Sequence, residues 1–287
     1  FWIPKIKALS KYNLVKDNYE NIYYVQNGMP DHYGSDIQFK FTLNGKTAFC
    51  MDPIAPITKY EYNGMALADT NYDKVTQDYL NKVVYYGYDY PGHQNERYYM
   101  ATQALIWEYI SNYLIEFYTE RYGYGEYIDV SNEKNEIISL INNHNNLPNF
   151  VNKNYNYDPT NYLEFVDNNL NNFEIIESNW SDMIIENNKL KIRNSQNFIG
   201  KIDIKLKRKT YRDDTPMYYY EADTQSMISG GKLNDIEASL SIDIVGAKIK
   251  INKLDKNSNL PIKDKNIKFN IINMQTNDYV YINGNIH

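Results

Sequence analysis

The chain has one cysteine, Cys50, among 287 residues. An intrachain disulfide is therefore excluded, and a chain of this length can bury a core without one. No stretch approaches the roughly 18 consecutive apolar residues that a membrane-spanning helix needs, and the mean hydropathy is -0.66. There is no basic run of five or more; the net charge is -6 and the pI near 5.3. Nucleic acid and anionic membrane surfaces are accordingly poor partners, since both are recognised through clustered Lys and Arg. The chain opens Phe1-Trp2 with no Met and no charged segment leading into an apolar one. We expect it to be part of a longer protein whose export signal lies elsewhere.

What is abundant is tyrosine, 30 residues against 10 Phe and 3 Trp, and asparagine between Asn142 and Asn188. An AT-rich coding bias accounts for that skew more simply than a sugar-binding surface does. Residues Ile37 to Met51 alternate on either side of Asn44-Gly45, the strongest short hairpin signal. A two-residue turn there sets Leu43 against Lys46 and Phe39 against Cys50, with Asp52-Pro53 ending the strand. Helical periodicity follows over Val75 to Tyr86 and from about Asn95 to a stop at Gly123, then over Glu133 to Asn142. Short strands are expected at Phe173 to Ile176, Met183 to Ile185, Leu190 to Ile192 and Ile199 to Leu206. The order makes an α+β fold, a β-rich subdomain with an inserted helical block. Beyond Val245-Gly246 the composition shifts, to a net +4 over residues 247–287 against -10 before them. A boundary is placed there, giving domains 1–245 and 247–287. The second is read as an incomplete all-β, immunoglobulin-like module, because Lys and Ile alternate in it but two or three strands cannot close a sandwich.

On a helical wheel, Gln103 lies within about 60° of Tyr99, Met100, Ile106, Trp107, Ile110, Leu114, Phe117 and Tyr118, while Glu108, Asn112, Glu116 and Thr119 gather opposite. A carboxamide amid that apolar stripe must find hydrogen bonds or cost about 1–3 kcal/mol. One reading is a Gln satisfied by backbone groups of the β block. The other treats its carbonyl carbon as an electrophile. Attack by the Cys50 thiolate would expel ammonia and leave a thioester, which apolar surroundings would shield from water.

The motifs Phe49-Cys50-Met51, Gly87-Tyr88, Pro91-Gly92 and Ala101-Thr102-Gln103-Ala104-Leu105-Ile106-Trp107 resemble, in order and spacing, those of the thioester (TQXA) domain of Gram-positive surface adhesins. The resemblance covers roughly residues 20–245, and Asp89-Tyr90 is an insertion where the family has Gly-Tyr-Pro directly. It implies a Cys50–Gln103 cross-link, secretion, cell-wall anchoring, and covalent capture of a Lys on a host-surface or extracellular-matrix protein by a monomer within a longer stalk. Residues Lys248 to Ile262 resemble the first strand and turn of a CnaB (SpaA-like) stalk domain. There Lys253 would be the isopeptide lysine.

His93, in the loop before the Gln103 helix, Tyr88 and Glu108 are candidate helpers in amine attack, although Glu108 projects away from Gln103 and His93 reads as a solvated loop residue. A Cys-His hydrolase or transglutaminase is disfavoured, because Cys50 ends a strand instead of opening a helix, and no signature surrounds His32, His93, His144 or His287. Asp255-x-Asn257-x-Asn259 lacks the Gly and Glu of a calcium loop. Leu260-Pro261-Ile262-Lys263 lacks the Thr-Gly of a sortase signal, and Gly230-Gly231-Lys232 lacks the rest of a phosphate loop. No metal or cofactor is expected. The sequence thus reads as a single-turnover covalent binder, not an enzyme. A non-covalent protein- or glycan-binding module with structural Cys50 and Gln103 is the alternative.

Overall fold

A computed structural model of the chain describes residues 11–27, 35–157, 162–193, 198–245, 254–263 and 272, with Asn18 and Glu20 described by backbone alone. The chain divides into two compact units, Phe1–Ile244 and Val245–His287.

The first unit is built on a closed ring of six strands. Strand β1 (Tyr12–Gln26) pairs with β2 (Ser35–Leu43), which turns through Asn44-Gly45 into β3 (Lys46–Cys50). Both turn residues have positive φ, 49° and 79°, as a type I′ hairpin demands. Strand β4 (Glu61–Ala66) returns to β1 through Tyr12↔Tyr62. The missing wall comes from far along the chain: β13 (Met217–Tyr220) pairs with β4, and β14 (Met227–Ser229) joins β13 to β3. Closure pairs these six strands on both sides, except where β3 runs past the end of its ladder with β2.

Between β4 and the later strands lie α1 (Lys74–Tyr86), α2 (Glu96–Ser111) and α3 (Ser131–Asn142), so the expected helical insertion is present. Helix α2 is shorter than its periodicity predicts. Asn112 adopts the left-handed conformation at φ 60° and closes the helix on the Glu108 carbonyl. The positions assigned to the last turns, Leu114 to Tyr118, instead leave the helix, and β5 (Ile115–Tyr118) pairs with β1, extended by β6 (Tyr127–Ile128). A buried–half-buried alternation over Ile115–Tyr118 is compatible with either period over so few residues; the cap decides it.

A second β region follows. Strands β8 (Leu163–Val166), β10 (Met183–Glu186) and β11 (Lys189–Ile192) form one sheet. The other contains β7 (Asn154–Tyr157), β9 (Phe173–Ser178), β12 (Gly200–Arg208) and β15 (Glu237–Ile244). The four short strands expected in the sequence are β9 to β12. Leu170, Phe173, Leu190, Leu206 and Ile242 are at or near zero exposure in its core. Between β12 and β15 the chain leaves to supply β13 and β14 to the ring.

Of the second unit the described part is a turn. Leu254 bridges Pro261, and Asp255 Oδ1 accepts from Asn257 N at 3.1 Å and Ser258 N at 2.9 Å, consistent with an ordinary polar turn. Lys253 and most of the strands expected for an immunoglobulin-like module lie outside the described residues. No described helix is long and apolar enough to cross a membrane.

Candidate functional site

The β2–β3 ladder runs Leu43↔Lys46, Thr42↔Thr47, Phe41↔Ala48, and then stops. The Tyr99 hydroxyl sits at its last rung, accepting from Phe41 N at 3.0 Å and donating to Ala48 O at 2.8 Å. Beyond this wedge the strands part. Phe39 pairs with Asn18 of β1, and Cys50 lies opposite Met227 of β14, not opposite Phe39 as a continued hairpin would have it.

The parting leaves the outer backbone edge of Cys50 without a strand, and Gln103 fills the place. Its Oε1 accepts from Cys50 N at 2.9 Å and its Nε2 donates to Cys50 O at 2.8 Å. The carboxamide thus acts as one residue of a strand, and both of its polar ends are satisfied at zero exposure. Tyr99, Gln103 and Trp107 are spaced i, i+4, i+8. Four helical residues rise about 6 Å, close to the roughly 6.7 Å of two strand residues, so α2 keeps step with β3. Tyr99 meets Ala48 and Gln103 meets Cys50. Trp107 lies 4.6 Å from the Tyr24 ring, whose hydroxyl donates to Pro53 O at 2.5 Å.

Thr102 secures the helix from its other side. Its Oγ1 donates to Tyr98 O and accepts from Tyr88 N at 3.0 Å. The loop after α1 comes so close that a Cβ on Gly87 would fall 2.3 Å from Thr102 Oγ1, which is why glycine stands there. Asp89, part of the two-residue insertion, accepts from Thr47 Oγ1 at 2.9 Å and from Arg212 Nη1 at 2.7 Å, tying this loop to the hairpin.

Cys50 is 3 % exposed. Burial pushes its thiol well above the ordinary range, a hydrogen bond from the Gln225 side chain opposes that rise, and the nearby Asp52 carboxylate adds to it. Gln225, itself buried, also donates to Asp52 O. Burial likewise raises the Tyr99 hydroxyl, so it stays protonated as the wedge requires.

Of the residues picked from the sequence, Cys50 and Gln103 are brought together and the proposed helpers are held elsewhere. Tyr88 accepts from Lys40 Nζ at 2.8 Å and touches the site through its ring, 5.6 Å from Tyr99. His93 is buried, not solvated: Nδ1 engages Tyr86 O and Gly87 O, and the ring stacks on Tyr98 at 3.7 Å. Glu108 accepts from Ile115 N and pairs with Lys134 at 2.7 Å, serving the end of α2. Sequence reading missed the roles of Tyr99, Tyr24 and Gln225. The i, i+4 spacing to Gln103 was a signal for the first; nothing marks Gln225, which arrives from the turn before β14. Among the described residues no group of three or more His, Cys, Asp or Glu is placed to hold a metal ion.

No curated protein matches the chain. The fold resembles the solved thioester domain of the Staphylococcus aureus TIE protein, with a TM-score of 0.56 and 21 % identity over 82 % of this chain and 99 % of that one. The Bacillus anthracis TIE protein aligns with a TM-score of 0.40 and 13 % identity, over 82 % of this chain and 49 % of that one. Residues 47–146, from within β3 to just beyond α3, match the family model described as Thioester domain, and that stretch holds both Cys50 and Gln103.

Proposed function

We propose that Cys50 and Gln103 form an internal thioester through which the protein attaches itself covalently to an amine on its target. The observation that carries this reading is the paired hydrogen bonding of the Gln103 carboxamide to the Cys50 backbone, which holds an electrophilic carbon against the residue that carries the thiol, both of them buried. In formation, Cys50 Sγ attacks Gln103 Cδ, the S–C bond forms, the C–N bond breaks, and the amide nitrogen leaves as ammonia carrying the thiol proton. The fixed approach of helix to strand supplies the effective concentration. In use, a neutral primary amine attacks the same carbon, an amide forms, and Cys50 departs as the better leaving group, its ordinary thiol pKa lying near 8.5. Among the described residues no imidazole is bonded to the pair, which leaves solvent or a buffer base to take the proton of the amine. The reaction consumes the protein, which is a single-turnover binder. The thioester-domain match supports a bacterial surface protein. An adhesin, cell-wall anchored and taking a host or matrix Lys as target, is the reading we adopt.

Intact mass tests this on the wild type beside Cys50→Ala and Gln103→Ala. The expected wild type is lighter than its sequence by one ammonia and gains one methylamine on incubation, and neither variant does either. A second reading rests on the same hydrogen bonds: a carboxamide fully satisfied by backbone can be structural, and the surface then binds non-covalently. A full-mass chain with a titratable thiol would establish that alternative.

A further inference from the structure

A cleft of about 520 Å³ opens on the ring's β4–β13 side, between those strands and the segment leading into α1. Tyr218 and Tyr220, two apart on β13, stand nearly parallel at 6.3 Å, and Tyr72 meets Tyr218 edge-on at 6.1 Å. Met65, opposite Tyr218 on β4, forms the floor, and Asp69 stands exposed at the rim. The far wall is fixed in advance. Gln77, buried on α1, donates from Nε2 to Tyr72 O at 2.9 Å and Thr70 O at 3.2 Å, and Thr70 Oγ1 donates to Leu67 O at 2.7 Å. Such a pre-formed, aromatic-walled recess with few polar groups is what small-ligand sites look like.

Its charge selects the ligand. Among the described residues no Lys, Arg or His lines the cleft and Asp69 makes no ion pair. Tyrosine faces attract cations, most strongly where water is partly excluded. We propose that this cleft is a non-covalent subsite for an alkylammonium, the side chain of a Lys on the target protein. The inference rests on the amine-capturing function proposed above and adds a docking contact to it.

The cleft is also placed to serve that function. Across the ring the register runs Phe49↔Ile228, then Tyr218↔Ile228, and Cys50↔Met227, then Tyr219↔Met227, so Tyr218 and Tyr220 flank the level of Cys50 on the face that Phe49 shares, opposite that of Tyr219. Two strand spacings, about 10 Å, separate β13 from β3. Asp52, two residues after Cys50, acts electrostatically on the Tyr72 phenol as well as on the thiol. A target presenting two lysines a few residues apart could fill the cleft with one and offer the other to Gln103.

The test uses Cys50→Ala, which cannot react, titrated by NMR with acetyl-Gly-Lys-Gly-amide, with its norleucine counterpart and with a neutral oligosaccharide. The Lys peptide should shift the resonances of the cleft and bind at least about fivefold more tightly than the norleucine peptide. Asp69→Asn and, separately, Tyr220→Ser should each remove most of that preference. Equal binding of the two peptides, a preference that survives both substitutions, or binding of the oligosaccharide alone would overturn the proposal. Because no covalent step is involved, failure here is distinct from failure of the methylamine adduct in the wild type.

Discussion

The two cores of the first unit are made differently. That of the second β region is aliphatic and aromatic, and Arg208 is the only polar side chain buried in it among the described residues. The core of the ring and its helices contains Gln26, Gln38, Gln77, Asn81, His93, Thr102, Gln103, Gln225 and Ser229, all buried. Ordinary packing needs none of these, and burying them puts stability at risk: Gln103 is satisfied at both ends, whereas the side-chain oxygens of Gln26 and Gln38 find no partner among the described residues. The second region shows what this chain builds when only a scaffold is wanted. The excess of buried amides in the first therefore marks the place where geometry is specified atom by atom, and Gln103 on Cys50 is its centre.

That contrast can be broken by substitution. Leu206→Ala opens a cavity in the second core, where Leu206 has zero exposure, and should cost about 2–5 kcal/mol. Denaturant melts will report it. The fraction of chain lighter by one ammonia should not change in the folded protein. If that fraction falls with stability, the two regions are not separable as argued.

Tyr99→Phe is the converse experiment. Loss of the hydroxyl deprives Phe41 N–H and Ala48 C=O of their shared partner, at about 1–3 kcal/mol. If the strands relieve this by closing on each other, the hairpin extends toward Phe39 and Cys50 and takes the edge that Gln103 uses. We expect a smaller loss of stability than from Leu206→Ala but a large loss of the ammonia-deficient species by mass spectrometry.

How far this was legible in the sequence follows from where each contact comes from. The hairpin turn, the α1 and α3 helices and strands β9 to β12 are local, and their signals lie within a dozen residues. Gln103 was conspicuous because an amide interrupts an apolar face. The end of α2 was misjudged because Ile115–Tyr118 satisfies either period and only the left-handed Asn112 decides. Tyr88, His93 and Glu108 looked available because sequence shows proximity but not engagement; each is already bonded to Lys40, to the Tyr86 and Gly87 carbonyls, or to Lys134. The ring closure and Gln225 were illegible, since β13 and β14 pair with strands more than 140 residues earlier and carry no mark of it.

The seam between the two regions gives a pH test. His144 Nδ1 lies 2.7 Å from the Tyr86 hydroxyl on α1, and burial, followed by the charge of Arg208, lowers its pKa from 6.5 to about 4. The folded state therefore resists a proton that the unfolded chain accepts near pH 6.5. The stability this represents is intact above that pH and is lost as pH falls toward 4. It is about 3 kcal/mol. Melting temperatures of wild type and His144→Gln should converge between pH 6.5 and 4, with the variant's curve the flatter; parallel curves would remove His144 from the account.

The smallest expected effect concerns the Asp89-Tyr90 insertion. Thr47 is on the hairpin and Asp89 in the loop after α1, so their hydrogen bond joins the strand that carries Cys50 to the helix pair that carries Gln103. Arg212 holds the same carboxylate and continues through Asp214 to Lys46, which closes the tie back onto the hairpin. Thr47→Val keeps the shape and removes only the hydroxyl, and Asp89 retains Arg212, so the loss should be about 1 kcal/mol. If the insertion works as a brace, a double-mutant cycle of Thr47→Val with Asp89→Ala will show coupling of that size. A coupling of zero would mean that the Thr47 hydroxyl contributes nothing to the brace, and that the loop is held by Arg212 together with Thr102 and His93.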